Sequence, residues 1–441
     1  MESITNILKS SLLVIIFVVL FIPLIQSNFN VVKVELLKGD VVSPENIDFT
    51  KEEWFTANYQ HKKEEYLNAM FGFRNTLVRL NNQIDFSFFK KANAKDVIIG
   101  KDNYLYELNY IKAYTGQDFI GKDSITHTLN RLKFISDTLQ KLNKQLLFVF
   151  APGKASFYPE YIPDKYLTQK GITNYQIFLE GIKQRGINHI DFKKWFSDNK
   201  YKSKYPLYPQ HGVHWSTYGT ALVTDSLIKK IEELRHIKAP HLTFNTVRTG
   251  PAYEIDYDVA DGMNLLFRLK SFDLAYPNLN VVDTIEKTKP KILVIGDSFY
   301  WGFYYLGIAK CFDSAHKFWY YNKQVYPESF TKDLLVQDLN LMDEISKNDI
   351  IIIVATDNNL RNVGWGFFEN LDKAFKGVQN KSINHNADSD EMKKIITDIK
   401  TNKIWVEDTK KRAKEKAISL DSALILEAIW QIHMNGQRVT K

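Results

Sequence analysis

The sequence predicts an α/β protein on a doubly wound, mostly parallel sheet, with a transmembrane helix ahead of it and a helical appendage behind. Three observations carry this. Short uninterrupted apolar runs at Val97–Ile99, Leu146–Phe150, Ile292–Ile295 and Ile350–Val354 have the length and flanks of fully buried parallel strands. Helical patterns such as Ser124–Leu142 and Tyr218–Glu233 lie between them, the alternation that builds a parallel sheet with helices on both faces. The two ends break this alternation: an apolar segment opens the chain, and helical periodicity without strand signals closes it.

The opening segment bears on location. The apolar run Leu12–Ile25 covers about 21 Å at about 1.5 Å per residue, short of a hydrocarbon core of about 30 Å. Counted from Ile4 it reaches about 33 Å, with Lys9 snorkelling to the interface. A cleaved signal peptide is the rival, since the run also suits the apolar core of a secretion signal, but Ile25-Gln26-Ser27-Asn28 lacks the small-x-small pattern of a cleavage site. Residues 1–29 are therefore read as a membrane anchor or signal peptide, with the inner membrane crossed by residues 4–26. Everything after about residue 30 then lies outside the cytoplasm.

Residues 30–89 read as a stalk and entry helix, the helix running from Glu65 to Phe89 on Leu67, Phe71, Leu77, Leu80 and Ile84. Residues 90–375 form the α/β domain. In the tail, 391–436, Met392, Ile395, Ile396 and Ile399 share one helix face, as do Ile425, Ala428, Ile429 and Ile432, with Ser419 a candidate N-cap. The polar stretch Lys376–Asp390 marks the boundary before it.

Composition excludes several classes. With 441 residues, 44% hydrophobic and 14% aromatic, the chain holds ample material for a packed core and is not globally disordered. The net charge of +7, from 58 basic and 51 acidic residues, is spread along the chain, so no nucleic-acid partner is expected. Cys311 is the only cysteine, which excludes an intramolecular disulfide and a thiolate metal site; it is expected in the core.

The strongest local signal for chemistry is Ile292-Leu-Val-Ile-Gly-Asp-Ser298, a buried strand running into a small-residue turn. That places a hydroxyl at the carboxyl edge of the sheet, where open α/β sheets bind ligands, with its amide at a helix start able to face an oxyanion. The plainer reading is a turn and helix cap. A hydroxyl nucleophile needs a base, and His211-Gly-Val-His214-Trp215 offers one in a turn before a helix, although a His-Trp turn also serves simply as structure. His211 and His214 could hold zinc, but no Glu, Asp or Cys stands at ligand spacing, so no metal or other cofactor is expected.

Together these motifs resemble the SGNH-hydrolase-like proteins of the alginate O-acetyltransferase AlgX/AlgJ group, in which a His-Trp motif precedes a Gly-Asp-Ser block. The resemblance extends to Val97-Ile-Ile-Gly-Lys-Asp-Asn-Tyr-Leu-Tyr106, to Ala151-Pro-Gly-Lys154 with Tyr158-Pro-Glu-Tyr-Ile-Pro163, and to Thr356-Asp-Asn-Asn359-Leu360, covering about residues 90–370. It implies a three-layer αβα domain outside the cytoplasm that transfers acetyl groups to polysaccharide hydroxyls in concert with a membrane-bound O-acyltransferase. By carry-over, Ser298 is the nucleophile and His214 its base. A carbohydrate acetyl esterase is the alternative, differing only in whether water or a sugar hydroxyl reaches the acyl-enzyme.

One departure stands out: the family's Asp-x-His places an acid where this chain has Gly212. Three accounts stay open. The orienting acid comes from elsewhere, with Asp258, Asp261 and Asp357 in loops and Asp297 beside the nucleophile; or His214 works as half of a dyad; or the protein is a catalytically silent glycan-binding scaffold. Supporting candidates are Gly296, Asp297 and Asp357, with Asn359 as side-chain oxyanion donor. Trp215, Trp301 and Trp365 are candidates for stacking on sugars, against core packing. Lys154 is a candidate for steering an anionic glycan, against an ordinary solvated lysine.

Overall fold

The computed structural model describes residues 2–39, 44–283, 286–377, 390–415, 420, 423–424 and 427–428. Among the described residues the strands are β1 (Val97–Ile99), β2 (Leu105–Glu107), β3 (Gln145–Ala151), β4 (His189–Asp191), β5 (His241–Gly250), β6 (Leu274–Val282), β7 (Ile292–Gly296), β8 (Lys317–Tyr320), β9 (Gln324–Tyr326) and β10 (Ile350–Thr356). Six form one sheet in the order β4-β3-β10-β7-β8-β9. The first five are parallel and β9 is antiparallel, so the sheet is mixed.

The three expected runs at its centre became β3, β7 and β10, and every residue of β7 and β10 is buried. Continuous Val and Ile suit strands covered on both faces. Helices pack against this sheet by the stripes their sequences announced. In Lys122–Lys141 the buried residues are Ile125, Leu129, Leu132, Ile135 and Leu139. The Thr217–Arg235 helix starts at Ser216, whose hydroxyl accepts from the Gly219 amide at 3.0 Å. Cys311 is fully buried.

Three expectations need correction, and one strand pair was not foreseen. Val97–Ile99 is not a strand of the central sheet: β1 pairs antiparallel with β2 in a two-stranded ribbon and is only half-buried. A three-residue apolar run cannot declare which sheet it joins. The entry helix is two helices, Asn58–Met70 and Arg74–Phe89: the chain leaves helical geometry at Phe71, with ψ 123, and Phe73 turns at φ 62. The stalk also carries a short helix, Lys51–Phe55, capped by Thr50. Finally, β5 and β6 form a long antiparallel pair outside the central sheet. Their segments carried no clear strand signal because much of that pair is exposed.

The N-terminal helix runs Glu2–Phe29, and within its stretch Asn6–Phe29 an 18-residue apolar window has mean hydropathy 2.7 and no buried residue. It is long and apolar enough to cross a membrane. The chain divides into two compact units, Met1–Leu371 and Asp372–Lys441. In the second, Asp390–Thr401 and Lys403–Glu415 are helices, with Ile399 buried. Residues 378–389, Ser419, Ile425, Ile429 and Ile432 lie outside the described residues.

Candidate active site

β7 ends at Gly296, whose register partners are Val354 of β10 and Tyr320 of β8. Gly296 thus supports the turn from within the sheet. The next residue, Asp297, is fully buried and ties the turn to the end of β10. Its Oδ2 accepts from the Thr356 amide, the Thr356 hydroxyl and Asn359 Nδ2, each at 2.8 Å, and its Oδ1 accepts from the Phe299 amide at 3.0 Å. Burial pushes this carboxyl up, and the four donors hold it back only in part. Fixed in this way, the turn leaves Ser298 half-buried at the carboxyl edge of the sheet, just before the Tyr300–Tyr305 helix.

The His214 turn is clamped from beneath. Lys154 Nζ donates to the carbonyls of Gln210 and Gly212, each at 2.7 Å, and lies over the rings of Tyr104 and Tyr106. Burial pulls this ammonium down to about 7, with Asp258 and Glu107 pulling the other way. Lys154 is fully buried, so it neither steers a glycan nor sits in solvent; it staples a loop. Here the structure corrects both readings of a lysine at a strand end.

The clamp delivers His214 to the nucleophile. His214 Nε2 lies 2.9 Å from Ser298 Oγ, and Nδ1 lies 2.6 Å from Asp258 Oδ2. An ionised carboxylate only accepts, so Nδ1 carries the proton and Nε2 presents its lone pair to the Ser298 hydroxyl. Burial pulls the imidazolium down, but the charge and hydrogen bond of Asp258, with Glu107 and Asp297, outweigh it and raise His214 above its ordinary value. Glu107, at the end of β2, is a second carboxyl near the pair; burial and Asp258 raise it, while His214 lowers it.

The four candidate acids are thereby told apart. Asp258 is the partner of His214, and its Oδ1 also accepts from the Val213 amide at 2.9 Å. Asp261 pairs with Lys38 at 2.6 Å. Asp357 is buried against Lys193 at 2.9 Å and the Ser156 hydroxyl, and Asp297 holds the turn. Gly212 explains the substitution of position. A Cβ there would meet the backbone of Asp256 at 2.8 Å and of Ile255 at 2.9 Å, because the 254–258 segment lies directly against the turn. That segment is held by Ala260 N donating to His211 O at 3.1 Å and by Thr217 donating from its amide and hydroxyl to Asp256.

Other candidates fall differently. Trp215 is 1% exposed and stacks on Phe196 with its edge towards Phe303, so it is core and cannot meet a sugar. Trp301 and Trp365 are half-buried. Trp301 stacks on the exposed Tyr305 at 5.3 Å. The amide nitrogen of Asn359 is engaged by Asp297 Oδ2 and by Thr356 Oγ1 at 3.2 Å, so it does not point a donor at an incoming oxygen. Sequence reasoning missed Glu107, whose only signal was its place at the end of the Leu105-Tyr106 strand.

Residues 97–259 match the family described as SGNH hydrolase-like domain, acetyltransferase AlgX. Over this stretch the chain is similar to that family. The AlgX-like match takes in His214 and Asp258 and stops short of Ser298. A curated relative, the probable alginate O-acetylase AlgJ of Pseudomonas aeruginosa, is 25% identical over 187 residues, 42% of this chain and 46% of that protein. The chain thus matches about half the length of this relative. Among solved structures, the O-acetyltransferase domain of Pseudomonas putida AlgJ is 15% identical, covering 63% of this chain and 99% of that one with a TM-score of 0.41. Pseudomonas aeruginosa AlgX is 13% identical, covering 62% and 59%, with a TM-score of 0.35.

Proposed function

We propose that the protein is an extracytoplasmic O-acetyltransferase that places acetyl groups on polysaccharide hydroxyls through a Ser298 acyl-enzyme, fed by a membrane-bound O-acyltransferase. The Ser298–His214–Asp258 relay, with separations of 2.9 and 2.6 Å, carries this reading. The catalytic domain is residues 90–375, a doubly wound three-layer domain, tethered in the periplasm by residues 4–26 as an inner-membrane anchor. The similarity to AlgX and to a probable alginate O-acetylase supports a polysaccharide as acceptor.

In the first half-reaction the Ser298 hydroxyl gives its proton to His214 Nε2 as Oγ bonds to the acyl carbon. The tetrahedral species collapses, and the leaving group departs with that proton. In the second half, a sugar hydroxyl gives its proton to Nε2 and attacks the acyl-serine, and Ser298 recovers the proton as it leaves. Asp258 holds the tautomer throughout and takes no proton from the reacting atoms. The acid from residue 258 supplies what Gly212 cannot, which removes the main ground for a silent scaffold.

The test uses the full chain in detergent with an aryl acetate as donor and alginate oligosaccharides as acceptors. Wild type should release the phenol and leave acetylated oligosaccharide, while Ser298→Ala does neither, and a serine-directed phosphonate should label Ser298. Phenol release with acetate as the sole product would replace the transferase by an esterase. No turnover and no labelling would remove both.

A further inference from the structure

A tetrahedral acyl intermediate asks for preorganised donors where its oxygen develops charge. The Ser298 amide, at the turn into the following helix, is one. The side chain named for the second place, Asn359, has its amide nitrogen engaged by Asp297 and Thr356. The neighbouring strand supplies another group. β8 lies parallel to β7 with Tyr320 opposite Gly296, and the Tyr321 amide donates to Gly296 O at 2.9 Å, so Tyr321 leaves the sheet beside Ser298.

Its backbone is held in an unusual state. Tyr321 has φ 50 and Asn322 φ 52, a left-handed pair that bulky side chains adopt only where their surroundings impose it. The ring packs edge-on against Trp365 at 5.2 Å and 87°, itself at φ 46, and Asn322 Nδ2 donates to Trp365 O at 3.0 Å. Held in this way, the phenol lies near enough to Ser298 and Asn359 for both to act on its titration. Burial, with Asp297 nearby, raises this phenol, so it stays a neutral O–H donor at ordinary pH.

We infer that the Tyr321 hydroxyl, together with the Ser298 amide, forms the oxyanion site of the proposed acyl transfer. The inference rests on the Ser298 acyl-enzyme reading. As Oγ bonds to the carbonyl carbon, the π pair moves to the carbonyl oxygen, which accepts from Ser298 N–H and Tyr321 O–H. When the pair returns, the leaving group departs with the proton held on His214 Nε2. Tyr321 lends a hydrogen bond and transfers no proton.

Tyr321→Phe keeps the ring and its contact with Trp365 and removes only the donor. With the aryl acetate, its kcat should fall about 10²–10³-fold while KM stays within about threefold, as for an interaction made chiefly in the transition state. The rate of Ser298 phosphonylation should fall with it. A second variant carries 3,5-difluorotyrosine at 321, whose more acidic phenol should give kcat a descending alkaline limb that wild type lacks, a change that packing alone does not produce. Full kcat in Tyr321→Phe, a loss confined to KM, or no new limb with the fluorinated ring would overturn the assignment. A wild-type protein without turnover would take the Ser298 reading down as well; an active wild type with an unimpaired Phe variant removes Tyr321 alone.

Discussion

Asp258 acts on His214 in two ways that one substitution separates. It fixes the tautomer through Nδ1 at 2.6 Å, and its charge raises the imidazolium against the pull of burial. His214 accepts the Ser298 proton only when neutral, so the acidic limb of kcat/KM should lie above the ordinary histidine value of about 6.5. Asp258→Asn should lower the plateau by about 10⁴, as expected for loss of the orienting acid. The same variant should move that limb to lower pH, because burial then acts with less opposition. Stability follows the same sign. The protonated His214–Asp258 pair stabilises the fold below about pH 6.5, and that contribution is lost as pH rises through the raised folded value. Thermal melts should therefore show the variant losing most at acid pH. Ser298 and His214 were legible in the sequence because each sits in a recognisable turn. Asp258 was one of four eligible acids, since nothing local says which loop crosses the His214 turn.

At the scale of elements, the turn around Gly212 and the 254–258 segment form one device. The segment fills the space that a side chain at 212 would occupy and returns its own carboxylate to His214. Gly212→Ala should therefore destabilise by about 1–3 kcal/mol, the usual cost of overpacking, read as a lower melting temperature with kcat reduced as Asp258 is displaced. Gly212→Asp, which restores the motif order of the relatives, should not rescue Asp258→Asn; recovery of activity in that double variant would show that the segment can move aside. The elements read from sequence with least error were β3, β7 and β10, whose Val, Ile and Phe runs are buried on both faces. β8 and β9, at Lys317–Tyr320 and Gln324–Tyr326, passed unseen because both are short and mix aromatic with polar residues. Tyr321 went with them: its importance comes only from β8 lying beside β7, a pairing that no local pattern announces.

For the whole molecule, the division after Leu371 falls inside the Phe367–Phe375 helix, and this sets where the chain can be cut. Phe367, Phe368 and Leu371 are buried, Phe367 packs edge-on to Trp319 of β8, and Glu369 pairs with Arg131. Every residue of the proposed relay and of its supports lies before that helix. A chain ending at Gly377 keeps the whole helix and should turn over the aryl acetate within about twofold of the full chain, since every residue named in the relay and its supports is kept. A chain ending at Gly366 loses three buried apolar side chains, at about 1.5–3 kcal/mol each, against a typical folding margin of about 5–15 kcal/mol, and leaves Trp319 beside a void. It should fail to melt cooperatively and should show no turnover. If the longer truncation folds but is inactive, the helical tail contributes to the reaction itself, and assigning the chemistry to residues 90–375 is wrong.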